Sequence, residues 1–340
     1  MEPDASGKIM TVLGPVGPEA FDRVLMHEHL HCDFFDAASG LPVWEEKPSA
    51  GRRDYLMAHA MPLLRECREK HGMTAYLDVT MPPWRGWPEL YTEVSRASGV
   101  HIVMSTGFYR EMELGYDWVD RPERQIWPFV RESPEEALAD MCIGELRSGI
   151  HGTGVRAGAI KLGASQAPLT AAELKCFRAG ARAQIATGAL LTTHCTALGG
   201  ESSQLAVLDA MGVDLNRVCI GHVAQHMTDP AHLKTLLAWM RRGASFQPTN
   251  LNASQPQFYR PLAEAIHRVF DAGLGDRLVV SLDHGYGGTG KGFAPADYLP
   301  PPPFLYFFRE VLPALREWGL SEPELDAMLR LNPRRLLALP

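Results

Sequence analysis

Eight short apolar runs recur along the chain, and the stretches between them carry helical periodicity. The runs cover residues 23–27, 74–80, 100–107, 157–162, 189–194, 217–222, 244–248 and 277–283. Between the first two, Leu56, Ala60, Leu63, Leu64 and Cys67 repeat at three and four, the spacing of one helix face. Pro88 and Pro134 stand where a helix can start without losing a hydrogen bond. Thr170 with Glu173 makes a capping box. Helices are expected over 53–71, 88–98, 133–149, 170–187, 202–211, 229–242, 260–272 and 304–318, with a last one over 321–337. Buried strands separated by helices make a parallel sheet. Eight such units in 340 residues predict an α/β fold, a single (β/α)8 TIM barrel domain over 1–340. A doubly wound sheet would need a glycine-rich G-x-G-x-x-G after the first run, and none is there. A short strand over 8–13 precedes the repeat.

The ends of these runs carry the chemistry. The first closes with "MHEHLH" at 26–31. Alternation along a strand turns His27, His29 and His31 one way and Glu28 the other. Lys161 lies near the end of the fourth run, His194 ends the fifth, His222 the sixth and Asp283 the eighth. In a parallel barrel these C-terminal ends converge on one mouth. Packing alone has no use for four histidines, a lysine and an aspartate there. Two imidazoles on one face clamp a borderline cation such as zinc. Lys161 is the odd member, because burial disfavours its charged form. A neutral amine that adds carbon dioxide becomes a carbamate, an anion whose two oxygens can bridge two cations about 3.5–4 Å apart.

Composition narrows the partners. A net charge of −7 with a pI near 6.0 argues against nucleic acid or an anionic membrane surface. The acidic, polar start "MEPDASGK" does not read as a signal peptide. No apolar run approaches the roughly 20 residues of a membrane span. The six cysteines are scattered with no C-x-x-C, so free thiols, a reducing compartment and a cytoplasmic location are expected.

The chain resembles the phosphotriesterase family of the amidohydrolase superfamily. The matching motifs are "LMHEHL" at 25–30, "AIKLG" at 159–163, "TTHC" at 192–195, "IGH" at 220–222 and "SLDHG" at 281–285. The C-terminal segment "LPALREWGLSEPELDAMLRLNPRRLL" is similar as well, so the resemblance runs from about Thr11 to Leu337. It implies that His27, His29 and Asp283 bind a buried divalent metal, and that His194 and His222 bind a more exposed one. Carboxylated Lys161 and a hydroxide would bridge the two. Zinc is expected, with manganese, cobalt and iron also suited to such donors. Asp283 would act as general base as well as ligand. The implied activity is hydrolysis of a lactone, carboxylic ester or amide, with phosphotriesters as promiscuous substrates. Phosphotriester hydrolysis as the main activity is the alternative, and a non-catalytic metal-binding barrel is the reading from another class. Family habit suggests a homodimer.

Outside the metal set, Tyr109 matches a tyrosine that lactonase-type relatives hold near the metals, as a catalytic or substrate contact. The arginine those relatives carry after the seventh strand is missing from "QPTNLNAS". The long connection 108–132, rich in aromatic residues, and a lid over 285–303 with Phe293 and Tyr298 as substrate contacts would wall an apolar pocket with few fixed charges. "GYGGTGKG" at 285–292 lacks the final Ser or Thr of a phosphate-binding loop, and prolines follow it. His31 reads as packed behind the site, His226 as a surface residue, and Cys195 as buried and inert. His284 should point away from the site.

Overall fold

A computed structural model of the chain describes residues 5–33, 50–82, 85, 87–111, 127–164, 166–249, 251, 259–288 and 304–340. β1 (Ile9–Thr11) and β2 (Gly14–Val16) form a small antiparallel pair. Seven strands then follow: β3 (Arg23–Asp33), β4 (Met73–Asp78), β5 (His101–Phe108), β6 (Ala159–Ala164), β7 (Leu190–Cys195), β8 (Val218–Gly221) and β9 (Ser245–Gln247). From β4 on, each is parallel to its predecessor and hydrogen-bonded to it. β10 (Gly285–Gly288) lies on the other edge of β3. The connections hold α1 (Ala50–His71), α2 (Pro88–Ser98), α3 (Trp127–Glu132), α4 (Glu135–Arg147), α5 (Ala171–Thr187), α6 (Gly200–Ala210), α7 (Ala224–Thr228), α8 (Pro230–Arg241) and α9 (Tyr259–Asp271). Together these make an α/β barrel.

Period-two alternation decides which side chains face which layer. Val24, Ala75, Leu77, Val103, Ala159, Leu190, Cys219 and Val279 form one buried cluster, the inner face of the sheet. Leu25, Tyr76, Ile102, Ile160, Leu191, Ile220, Phe246 and Leu278 belong to the other cluster, with the apolar faces of the helices. Lys161 is two residues beyond Ala159, so the same alternation carries its side chain inward above the inner core. The helix ends follow local chemistry. Thr170 accepts from the Glu173 amide and Glu173 from the Thr170 amide, and Gly188 at φ 68° ends α5 in the left-handed conformation.

Two expectations need correction. The eighth run, 277–283, does not form a regular strand. It joins β9 through Val279 N to Phe246 O at 3.2 Å, and joins β3 through Asp283 N to His27 O at 2.9 Å. The cause is local. Asp283 has φ 69°, and Glu28 takes the amides of Leu282 and His284 that a ladder would otherwise use. The helix expected over 229–242 is present as α8, capped by Asp229, and a separate short helix, α7, precedes it. The connection 108–132 ends in α3, which buries Trp127 and Val130. The Lys175 ammonium donates to the carbonyls of Val130, Arg131 and Ser133 at the end of that helix. No helix among the described residues is long and apolar enough to cross a membrane.

Gly107 pairs with Lys161 across β5 and β6, has φ 121°, and a Cβ there would overlap the Lys161 carbonyl. Gly107→Ala is expected to lower unfolding free energy by about 3 kcal/mol in urea titration. A change below about 0.5 kcal/mol would show that this approach is not tight.

Candidate metal centre

The barrel brings all six expected donors to one place. Lys161 Nζ lies 2.9 Å from His27 Nε2. One carboxylate oxygen of Asp283 lies 2.9 Å from His29 Nε2 and 3.6 Å from His27 Nε2, and the other lies 3.5 Å from His222 Nε2. The rings of His194 and His222 are 4.1 Å apart, and those of His27 and His222 are 4.9 Å apart. His27, Lys161, His194 and His222 are buried. His222 at φ 63° and Asp283 at φ 69° hold backbone that side chains other than glycine adopt rarely, and such strain gathers at functional sites.

Each histidine is oriented through its Nδ1. His27 Nδ1 meets Gln247 Oε1 at 3.0 Å, and His29 Nδ1 meets Thr80 Oγ1 at 2.6 Å. His222 Nδ1 meets Thr249 Oγ1 at 3.0 Å, and His194 Nδ1 meets the Tyr109 hydroxyl at 3.4 Å. The Nε2 atoms of His27, His29 and His222 are the ones that face Lys161 or Asp283. Holding the far nitrogen of an imidazole is how proteins fix tautomer and aim for a metal. Thr80, Gln247 and Thr249 were not singled out by sequence reasoning. Their one signal is position, as polar residues at or just beyond strand ends.

The electrostatics suit cations. Burial and the Lys161 ammonium push His27 well below the ordinary histidine range. Burial, His222 and Lys161 do the same to His194. Burial takes His222 down to about 4 against the pull of Asp283. Neutral imidazoles are the form that ligates. Burial lowers Lys161 to about 7, with Asp283 opposing. Burial opposes ionisation of Asp283, yet the surrounding His222, His27 and His29 hold its carboxyl well below the usual carboxylate range. His194 Nε2 is buried and has no hydrogen-bond partner among the described residues. A buried orphan nitrogen is costly unless something else satisfies it. His27, His29 and Asp283 already stand close enough to share one cation. The donor set therefore fits divalent metal.

Behind the donors, Glu28 points away from the mouth, as alternation requires. Its carboxyl oxygens accept from the Ser281 hydroxyl at 2.6 Å and from the amides of Leu282 at 2.8 Å and His284 at 3.1 Å. That clamp sets the turn carrying Asp283. Asp78 does similar service for β3, accepting from the Leu30 and Thr80 amides.

The remaining candidates sort unevenly. Tyr109 stands beside His194 with ring centroids 5.2 Å apart. The Arg110 guanidinium lies 5.6 Å over the Tyr109 ring, and its charge acts on His194 and His222. A fixed cation is thus near the mouth, where few charges were expected. His226 is not a surface residue: it is 3% exposed and paired with Glu201, because α7 folds it back under the loop after β7. Cys195 is buried as expected. His284 turns aside to stack on Tyr306 at 5.9 Å. The side chain of His31, and Phe293 and Tyr298 with most of the lid, lie outside the described residues, as does 112–126 of the aromatic connection.

The model of the phosphotriesterase family matches residues 7–337. A phosphotriesterase homology protein of Escherichia coli (strain K12) is 32% identical over 322 residues, which cover 91% of this chain and 95% of that protein. An N-acetyltaurine hydrolase of Salmo salar is 25% identical, covering 98% of each chain. The solved organophosphorus hydrolase from Deinococcus radiodurans superposes with a TM-score of 0.78 at 27% identity, covering 99% of each chain.

Glu28 offers a test of the clamp by pH. Burial raises its pKa from 4.5 to about 8 against the three hydrogen bonds it accepts. The folded state therefore holds this proton more tightly than the unfolded chain. Stability from this group is full below about pH 4.5 and falls by about 1.4 kcal/mol per unit as pH rises toward 8. In metal-free protein, wild type should lose about 3 kcal/mol relative to Glu28→Gln between pH 5 and 7.5 in denaturant titrations. Parallel stability curves for the two would show that Glu28 is ionised throughout.

Proposed function

The chain belongs to the phosphotriesterase family, and we propose that within it this hydrolase cleaves carboxylic esters, lactones or amides with the help of two divalent cations. The observation that carries the reading is the convergence of four oriented imidazoles, one lysine amine and one ionised carboxylate on a single buried point. His27, His29 and Asp283 would hold one cation, His194 and His222 the other, and Lys161, as a carbamate, would join both. Bound there, the cations would polarise a substrate C=O or P=O and lower the pKa of the attacking water.

The chain's own groups supply the rest. Lys161, with its pKa near 7, is largely neutral at mildly alkaline pH. Its lone pair can form the N–C bond to carbon dioxide, and the proton lost from nitrogen passes to solvent. Asp283 is ionised and its oxygens face the centre, so it can take the proton of attacking water and hand it to the leaving group. The Tyr109 hydroxyl at the mouth can contact the substrate oxygen or hold His194 in line. An amide-cleaving relative, the N-acetyltaurine hydrolase, supports a carbonyl substrate. The Arg110 guanidinium near the same histidines would favour a substrate whose remote end is anionic. The second reading, phosphotriester hydrolysis as the main activity, rests on the structural likeness to the organophosphorus hydrolase.

Protein reconstituted with metal and bicarbonate should hold about two cations in this nitrogen-and-oxygen centre. Lys161→Ala should lose metal and drop kcat/KM by at least about a hundredfold, with partial rescue by a short-chain carboxylic acid. Full activity in that variant would remove the bridging role.

Tyr109→Phe should lower kcat more than it raises KM if the hydroxyl acts in the transition state. A panel of lactones, aryl esters, N-acyl amino acids and phosphotriesters decides the substrate class. A clear preference for phosphotriesters would replace the carbonyl assignment.

A further inference from the structure

Behind His194 lies a second cluster that the hydrolytic site does not use. Cys195 ends β7, Glu201 is in the first turn of α6, and His226 is in α7. Their relative exposures are 1%, 0% and 3%. One ligand atom from each lies within 4.8 Å of the other two. Glu201 Oε2 is 3.0 Å from His226 Nδ1, whereas Glu201 Oε1 is buried with no hydrogen-bond partner among the described residues. Cys195 Sγ makes only a weak 3.7 Å contact to the Ala197 carbonyl. Gly200 leaves room for the sulfur, because a Cβ there would lie 3.0 Å from Sγ.

A buried ion pair accounts for one carboxylate oxygen and one imidazole nitrogen. It leaves Oε1 bare and the thiol idle beside it, and an unpaired buried carboxylate oxygen is costly. Sulfur, nitrogen and oxygen donors together suit zinc. Ligands at about 2.0–2.3 Å from a tetrahedral centre lie about 3.5 Å from one another, and the three donors here lie within 4.8 Å of one another, with Glu201 and His226 already at 3.0 Å. Coordination deprotonates the thiol, and that proton leaves to solvent.

We propose that Cys195, Glu201 and His226 form a separate zinc site, with water as fourth ligand. The site joins the loop after β7 to the helix after β8. Those two segments follow His194 and His222, so the cation would hold the two imidazoles in register without touching substrate.

Cobalt(II) tests this without reference to hydrolysis. The hydrolytic centre offers only nitrogen and oxygen donors, so it cannot give a thiolate-to-cobalt charge-transfer band. Cobalt-loaded wild type should show that band in the near ultraviolet, and Cys195→Ser should abolish it and lower bound metal by about one ion per chain. X-ray absorption at the zinc edge of zinc-loaded wild type should show sulfur at about 2.3 Å. Because Cys195→Ser can misfold, Glu201→Gln, which keeps the sulfur, should also weaken or shift the band. A wild-type protein with no band and no zinc–sulfur scattering overturns the proposal, as does a band that survives Cys195→Ser. Loss of the hydrolytic centre alone would remove activity and leave the thiolate band in place.

Discussion

A carboxyl group buried between the first and last staves of the barrel, that of Glu28, governs the geometry of the rest. Residues 281–284 must pass from the side of β9 to the side of β3 and at the same time deliver Asp283 to the mouth. A regular strand does not do both: Asp283 takes a left-handed backbone and faces the imidazoles of His27, His29 and His222. Glu28 resolves this by accepting the Ser281 hydroxyl and the Leu282 and His284 amides, the donors that leaving the ladder would orphan. Barrel closure and placement of the carboxylate are therefore one event. The residue responsible lies between the two histidines that the same carboxylate contacts.

The second constraint is electrostatic. Four imidazoles and an amine share a largely buried pocket with one carboxylate, and in that pocket protonating every base would set like charges against one another at reduced dielectric. The fold meets this by keeping His27, His194 and His222 neutral and Asp283 ionised. Such a pocket is poor in positive charge and rich in lone pairs. Oxygens from Gln247, Thr80, Thr249 and Tyr109 on the far nitrogens remove the remaining freedom of the rings. A dication entering would find its ligands aimed and would displace little structure.

Much of this was legible in the sequence because barrel strands and ligands obey the same alternation. The runs ending in His27, Lys161, His194 and His222 could be recognised as strands, and their ends as one mouth. The eighth run was legible in place but not in form, because its backbone depends on Glu28, which is distant in sequence. His226 was misread for a related reason. Its burial is set by how α7 returns against the loop after β7, a tertiary fact with no local period. Thr80, Gln247 and Thr249 gave no signal beyond polarity, since a residue that orients another is recognised only through its partner.

Arg110 shows where chemistry and selectivity part. The donors are carried by strands whose inner faces are packed from below by Val24, Leu77, Val103, Leu190 and Val279, so their mutual positions tolerate little change. Arg110 follows the end of β5, outside that packing, and reaches the same histidines by charge and the Tyr109 ring by stacking. A loop residue can be exchanged without disturbing the core. The chain lacks an arginine after β9 yet carries one after β5, so a guanidinium reaches the mouth from a different strand. A cation over the mouth would act on whatever part of a bound molecule lies remote from the reacting bond. The donors beneath it are fixed by the core whatever loop stands over them, so the same donor set is compatible with different surroundings at the mouth.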